Sequence, residues 1–68
     1  MLIRKSSSVE VSVEIRLFDK VLLNTGEIAY IVEVYEQGVA YEADIDKSDG
    51  STETNTIKHS DIAKVLDR

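Results

Sequence analysis

The chain has no cysteine, no proline and no tryptophan, and only three glycines, one histidine and one phenylalanine. Without cysteine, disulfides and thiolate metal ligands are both excluded as staples. The lone His59 leaves a metal site with carboxylates only, and its sole adjacent nucleophile, Ser60, is a sequence neighbour rather than a facing residue. A surface or turn histidine accounts for it. Gly26, Gly38 and Gly50 stand singly, so no glycine-rich loop can cradle a phosphate. No catalytic residue, metal ligand or cofactor is therefore assigned, and the chain reads as non-enzymatic. Apolar runs are too short to cross a bilayer, and none follows Arg4 and Lys5 as a secretory signal requires. The expected location is the cytoplasm.

Basic residues are also scarce: eight Lys and Arg against thirteen Asp and Glu give a net charge of −5. Nucleic-acid affinity comes largely from neutralising phosphates, so this balance disfavours direct nucleic-acid binding. It disfavours an anionic membrane surface for the same reason. The remaining composition, 43% apolar and 31% charged, is that of a globular chain. At 68 residues it makes one domain with a thin core. An unstapled core of this size calls for a compact β-rich layout, self-association, or both.

Residues 1–8, ending in Ser6, Ser7 and Ser8, show no periodicity and read as a mobile leader before one domain over residues 9–68. Val9, Val11, Val13, Ile15 and Leu17 then alternate with polar residues, the period of a strand with one wet face. Val21, Leu22 and Leu23 make a short strand closed by Asn24, Thr25 and Gly26. Ile28 to Tyr35 is apolar on both faces, which predicts a central, bent strand. A turn at Glu36, Gln37 and Gly38 leads to Val39, Tyr41, Ala43 and Ile45, alternating with Ala40, Glu42, Asp44 and Asp46. Asp49-Gly50 suits a two-residue hairpin turn, and Thr52, Thr54, Thr56 and Ile57 supply a more polar strand. In the tail, Ile62, Val65 and Leu66 fit a helical face while Ile62, Lys64 and Leu66 fit a strand face, and Ser60 or Asp61 can cap a helical turn. Five to six short antiparallel strands at this spacing predict an all-β fold, a small closed or nearly closed barrel with a short helical turn near the C-terminus.

From Leu17 onward, Asp19, Val21, Gly26, the Ile31-Val32-Glu33-Val34 strand, Ala40-Tyr41-Glu42, Asp49-Gly50 and Asp61-Ile62 resemble an uncharacterised bacterial domain family with a KOW-type, SH3-like small barrel. The resemblance implies that fold and leaves the activity open, since small barrels host many unrelated roles. The chain departs from the pattern at Ala29, where a glycine would stand before the central strand, and in its long alternating stretch from Val9.

Seven of the thirteen acidic residues fall between Glu33 and Glu53, opposed there only by Lys47. On the strand reading Glu42, Asp44 and Asp46 point the same way, and like charges so placed repel. Two readings follow, a solvated face or a surface that docks on a basic protein. A calcium loop over Asp44, Asp46, Ser48 and Gly50 fails on spacing, because Asp49 stands where the glycine belongs and Asn55 where the bidentate Glu belongs. Tyr30 and Tyr41 read as core or core-rim residues, and Tyr35 as exposed beside the acids. The expected partner-binding residues are thus Glu33, Tyr35, Glu36, Glu42, Asp44 and Asp46. They would bind a basic protein surface, acting as an inhibitor or regulator of a nucleic-acid-handling protein, in the manner of inhibitors carried by phages and mobile elements. A second reading makes Val9, Val11, Val13 and Ile15 the self-associating face of a homodimer.

Overall fold

A computed structural model describes residues 14–67; Val9, Val11, Val13 and the expected leader lie outside the described residues. Five strands follow in order: β1 (Lys20–Leu23), β2 (Ile28–Glu36), β3 (Ala40–Asp46), β4 (Thr52–Lys58) and β5 (Ile62–Asp67), with a 3-10 turn at His59–Asp61. They form one open antiparallel sheet in the order β4-β3-β2-β1-β5. Consecutive strands are joined as a meander, and β5 returns to pair with β1.

The core lies on one face of the sheet. Val21 faces Ala29, Ala29 faces Ile45, Ile31 faces Ala43 and Tyr41 faces Ile57, and all seven of these residues are buried. Strict alternation would bring Glu33 inward after Ile31. Instead Val32 is an extra residue: Ile31 pairs with Ala43 and Glu33 with Glu42, so Val34 takes the inward place opposite Tyr41. A second shift follows before Glu36. Such bulges bend a strand and increase its twist, which is the bend expected of this apolar-on-both-faces segment.

Loop chemistry follows the glycines. The β1–β2 connection is closed by Gly26 N–H donating to the Leu23 carbonyl at 2.8 Å and Leu23 N–H to Glu27 at 2.8 Å. The β3–β4 connection repeats this, with Gly50 N–H on Lys47 at 3.0 Å and Lys47 N–H on Ser51 at 2.9 Å. Both glycines have positive φ, +93° and +90°, as a three-residue loop ending in a left-handed residue requires. The Asp49-Gly50 loop is thus one residue longer than the two-residue turn its sequence suggested. Val39, expected on the inner face of β3, sits in the β2–β3 turn and is half exposed.

The alternating stretch ends differently from its pattern. Residues 14–16 are irregular and Leu17-Phe18 form a turn, so no strand reaches Leu17. Asp19 N–H donates to the Arg16 carbonyl at 3.1 Å, and the Asp19 carboxylate, itself buried, accepts from Arg16 N–H at 2.9 Å. The turn continues β1 through a bulge: Phe18 N–H donates to the Ile31 carbonyl at 2.6 Å, and Ile31 N–H to that of Asp19 at 3.0 Å. Phe18 occupies the left-handed position, φ +68°, that the other turns give to glycine. Phe18 is 76% exposed, so packing returns little for a backbone strain of about 1–2 kcal/mol. Phe18→Gly is expected to raise stability by roughly 0.5–1 kcal/mol after the added chain entropy of glycine, and Phe18→Val to lower it. Urea midpoints on the three chains check this; a destabilised Phe18→Gly would show that the ring packs usefully.

Of the two readings of the tail the strand holds, over Ile62–Asp67; the single 3-10 turn precedes it at His59–Asp61, with Lys58 rather than Ser60 or Asp61 at its N-cap. Asn24 N–H and side-chain amide donate to the carbonyls of Asp61 (2.8 Å) and Ser60 (2.7 Å), and Asp61 carboxylate accepts from Lys58 N–H at 2.9 Å. These bonds hold the single helical turn. In β5, Leu23 faces Ile62 and Val21 faces Val65, so a bulge gives the two inward residues a helix-like spacing of three.

Candidate functional site

The outer face of the sheet is built by the same register. One row runs Lys20, Tyr30, Asp44, Thr54; the next runs Glu33, Glu42, Thr56. Glu33 and Glu42 are therefore directly opposite on adjacent strands, a like-charge pair that costs stability. Glu42, Asp44 and Asp46 share one side of β3, alternating with buried Tyr41, Ala43 and Ile45. They are unequal. Asp46 is exposed, whereas Glu42 and Asp44 are half-buried.

Neighbouring hydroxyls explain the difference. Tyr35 Oη donates to Glu42 Oε1 at 2.6 Å, and Thr54 Oγ1 donates to Asp44 Oδ1 at 2.5 Å. The bond to Glu42, reinforced by the negative charges of Glu42 and Glu33, pushes the Tyr35 phenol above its ordinary range. Tyr35 reaches Glu42 because the second β2 bulge places it beside the Glu33–Glu42 pair. Glu36 is exposed at the end of β2. Thus Glu33, Tyr35, Glu42 and Asp44 come together, with Asp46 further along β3 and Glu36 at the hairpin end.

Lys20 ends the row that holds Asp44, and Lys58 lies opposite Ala40 at the end of β4, but the close ion pairs lie elsewhere. Among the described residues the ion pairs run from Lys47 to Glu27 (2.6 Å) and Glu53 (3.6 Å), at the β3–β4 loop. The hydrogen bond between them lowers the Glu27 carboxyl pKa and raises that of the Lys47 ammonium. No described Lys or Arg pairs with Glu33, Glu36, Glu42, Asp44 or Asp46. The uncompensated charge is therefore local to the β2–β3 outer face.

The self-association residues fare differently. Ile15, the one that is described, is 2% exposed and belongs to the core, so it presents no face to a second copy. Its backbone is gripped by the Gln37 amide, which accepts from Ile15 N–H and donates to the Ile15 carbonyl, both at 2.8 Å. The side chain of a hairpin turn thus substitutes for a pairing strand.

Gln37 belongs to a polar node that residue spacing did not reveal. The buried Tyr41 hydroxyl accepts from Gly38 N–H at 2.8 Å, meets His59 Nδ1 at 2.7 Å and donates to Gln37 Oε1 at 3.3 Å. His59 N–H in turn donates to the Val39 carbonyl at 2.8 Å. His59 is a half-buried turn residue tying the 3-10 turn to the β2–β3 hairpin. Nothing in the sequence pairs positions 15, 37, 41 and 59, since their contact depends on the hairpin folding back over the incoming chain. Among the described residues no group of three or more His, Asp or Glu is arranged to hold a metal ion, and no helix is long and apolar enough to cross a membrane. No protein-family model matches the chain, and neither the curated proteins nor the solved structures provide a significant match.

Proposed function

We propose that the chain is a non-enzymatic, cytoplasmic interaction module of SH3-like layout whose acidic outer face binds a basic protein surface. It would act as an inhibitor or regulator of a nucleic-acid-handling protein by occupying the surface that receives phosphates. The SH3-like reading is supported by the meander order, by β5 pairing with β1 after a 3-10 turn, and by the bulged β2 that both halves of the sheet share. The binding reading rests on one observation. Glu33 and Glu42 are held opposite each other, next to Asp44, with no described cation ion-paired to them. A solubilising face needs no such juxtaposition, because charges spread among lysines serve as well. A basic partner would turn this local repulsion into steering and complementarity.

The test presents the purified chain to a panel of purified nucleases and other nucleic-acid-binding proteins at low ionic strength. At least one is expected to bind, with affinity falling about tenfold or more as salt screens the charges. The double reversal Glu33→Lys with Glu42→Lys should abolish that binding while leaving the circular dichroism spectrum unchanged. Absence of any bound member, or binding indifferent to the reversal, overturns the proposal.

A further inference from the structure

An open sheet has two edges, and this chain treats them differently. β5 carries both register shifts of its pairing with β1, so that edge is broken and twisted. β4 pairs with β3 over all seven residues without a shift, which leaves a straight edge. Its sequence, Thr52-Glu53-Thr54-Asn55-Thr56-Ile57-Lys58, has three β-branched threonines on one face and no proline or lysine before its last residue.

The edge also shows which backbone groups are unpaired. His59 N–H donates back to Val39, so the odd-numbered residues of this strand bond toward β3 and the even-numbered ones face outward. Two of the outward donors have recruited side chains instead of a strand: Thr56 N–H donates to Asn55 Oδ1 and Lys58 N–H to Asp61 Oδ2, both at 2.9 Å. The Asp61 bond blunts the C-terminal end. Thr52 to Thr56 remain as a stretch whose outward edge has no partner strand among the described residues.

We propose that two copies of this chain join β4 to β4 as antiparallel strands about a two-fold axis at Thr54. In that register Thr54 faces Thr54 of the second copy and Thr52 faces Thr56, so threonine meets threonine on the outer face. Glu53 faces Asn55, and its charge is already bridged by Lys47 within its own chain. Charge favours this edge over other surfaces for self-pairing: β4 holds one Glu and one Lys, whereas β3 holds three acids and no base, in a chain of −5. The outward even-numbered groups supply the inter-chain ladder, with Thr56 N–H released from the Asn55 amide to a carbonyl of the second copy. This inference is independent of the acidic-face reading, because the pairing uses the strand edge and leaves the face that carries Glu33 and Glu42 uncovered.

The absence of cysteine makes the register measurable. Facing residues of an antiparallel pair have Cα atoms about 5.5 Å apart, within disulfide reach, whereas two copies of residue 52 would be about 14 Å apart. With oxidised glutathione, Thr54→Cys is expected to form covalent dimers and Thr52→Cys to stay monomeric. Wild type should sediment at twice the chain mass at high concentration. Thr52→Lys with Thr56→Lys should sediment as one chain, since lysines then face lysines across the axis while each has an acidic neighbour, Asp46 or Glu42, on its own β3. Circular dichroism confirms that this variant stays folded. Wild type sedimenting as one chain, equal cross-linking of both cysteine variants, or a double-lysine chain that still dimerises would each overturn the proposal.

Discussion

Ile15→Ala is expected to destabilise the fold by about 2–5 kcal/mol, read as a lower urea midpoint with an unchanged slope. Ile15 is 2% exposed and joins the cluster of Val21, Ala29, Ile31 and Tyr41, so truncation leaves a cavity at the heart of the sheet's inner face. The total stability of a domain this size is only about 3–10 kcal/mol, so the loss would be a large fraction of it. Ile15→Val, which removes one methyl group, should cost about 0.5–1.5 kcal/mol. The pair of variants discriminates between two placements of the residue. On an exposed strand both changes would be near neutral for an isolated chain; in the core they scale with the carbons removed. A midpoint for Ile15→Ala equal to wild type would return the residue to the surface.

Removing one oxygen from Tyr41 is expected to be nearly as costly. Tyr41→Phe keeps the buried ring but deprives Gly38 N–H and His59 Nδ1 of their shared partner and leaves Gln37 Oε1 with only the Ile15 N–H. Leaving such groups without partners costs about 1–3 kcal/mol, and each kcal/mol lowers Tm by roughly 4–8 °C in a domain of this length. The effect should reach further than the ring. Gln37 holds the Ile15 backbone at both its N–H and its carbonyl, and Tyr41 helps to hold Gln37. Amide exchange at Ile15 is therefore expected to accelerate in Tyr41→Phe, while exchange at the regular β3–β4 pairs changes only as much as global stability does. Unchanged Tm and unchanged Ile15 exchange together would show that the hydroxyl is idle.

The sequence was most readable where alternation is unbroken. Tyr41, Ala43 and Ile45 are buried and Glu42, Asp44 and Asp46 lie opposite, as period two requires over β3. It was least readable at bulges. Inward residues 31 and 34 in β2, and 62 and 65 in β5, are spaced by three because one residue between the members of each pair is unpaired. In the tail that spacing imitates a helix, and in β2 it conceals which of Val32, Glu33 and Val34 faces inward. The alternating stretch that ends at Ile15 and Leu17 misled in the opposite sense. Its period is genuine, yet residues 14–18 are not strand, because Asp19 folds back onto Arg16 and Gln37 takes up the Ile15 backbone.

By itself the sequence determined the class of the fold, the places of the glycine turns and the concentration of negative charge in its middle third. These follow from local rules: side-chain period, left-handed turn positions and composition. Only the tertiary structure decided that Glu33 stands opposite Glu42, that Ile15 belongs to the core, and that the β4 edge is straight while the β5 edge is not. Each of these depends on strand register, which a single inserted residue reverses and which is fixed by contacts distant in sequence. The same dependence makes Tyr41 and His59, eighteen residues apart, one polar node beneath the hairpin.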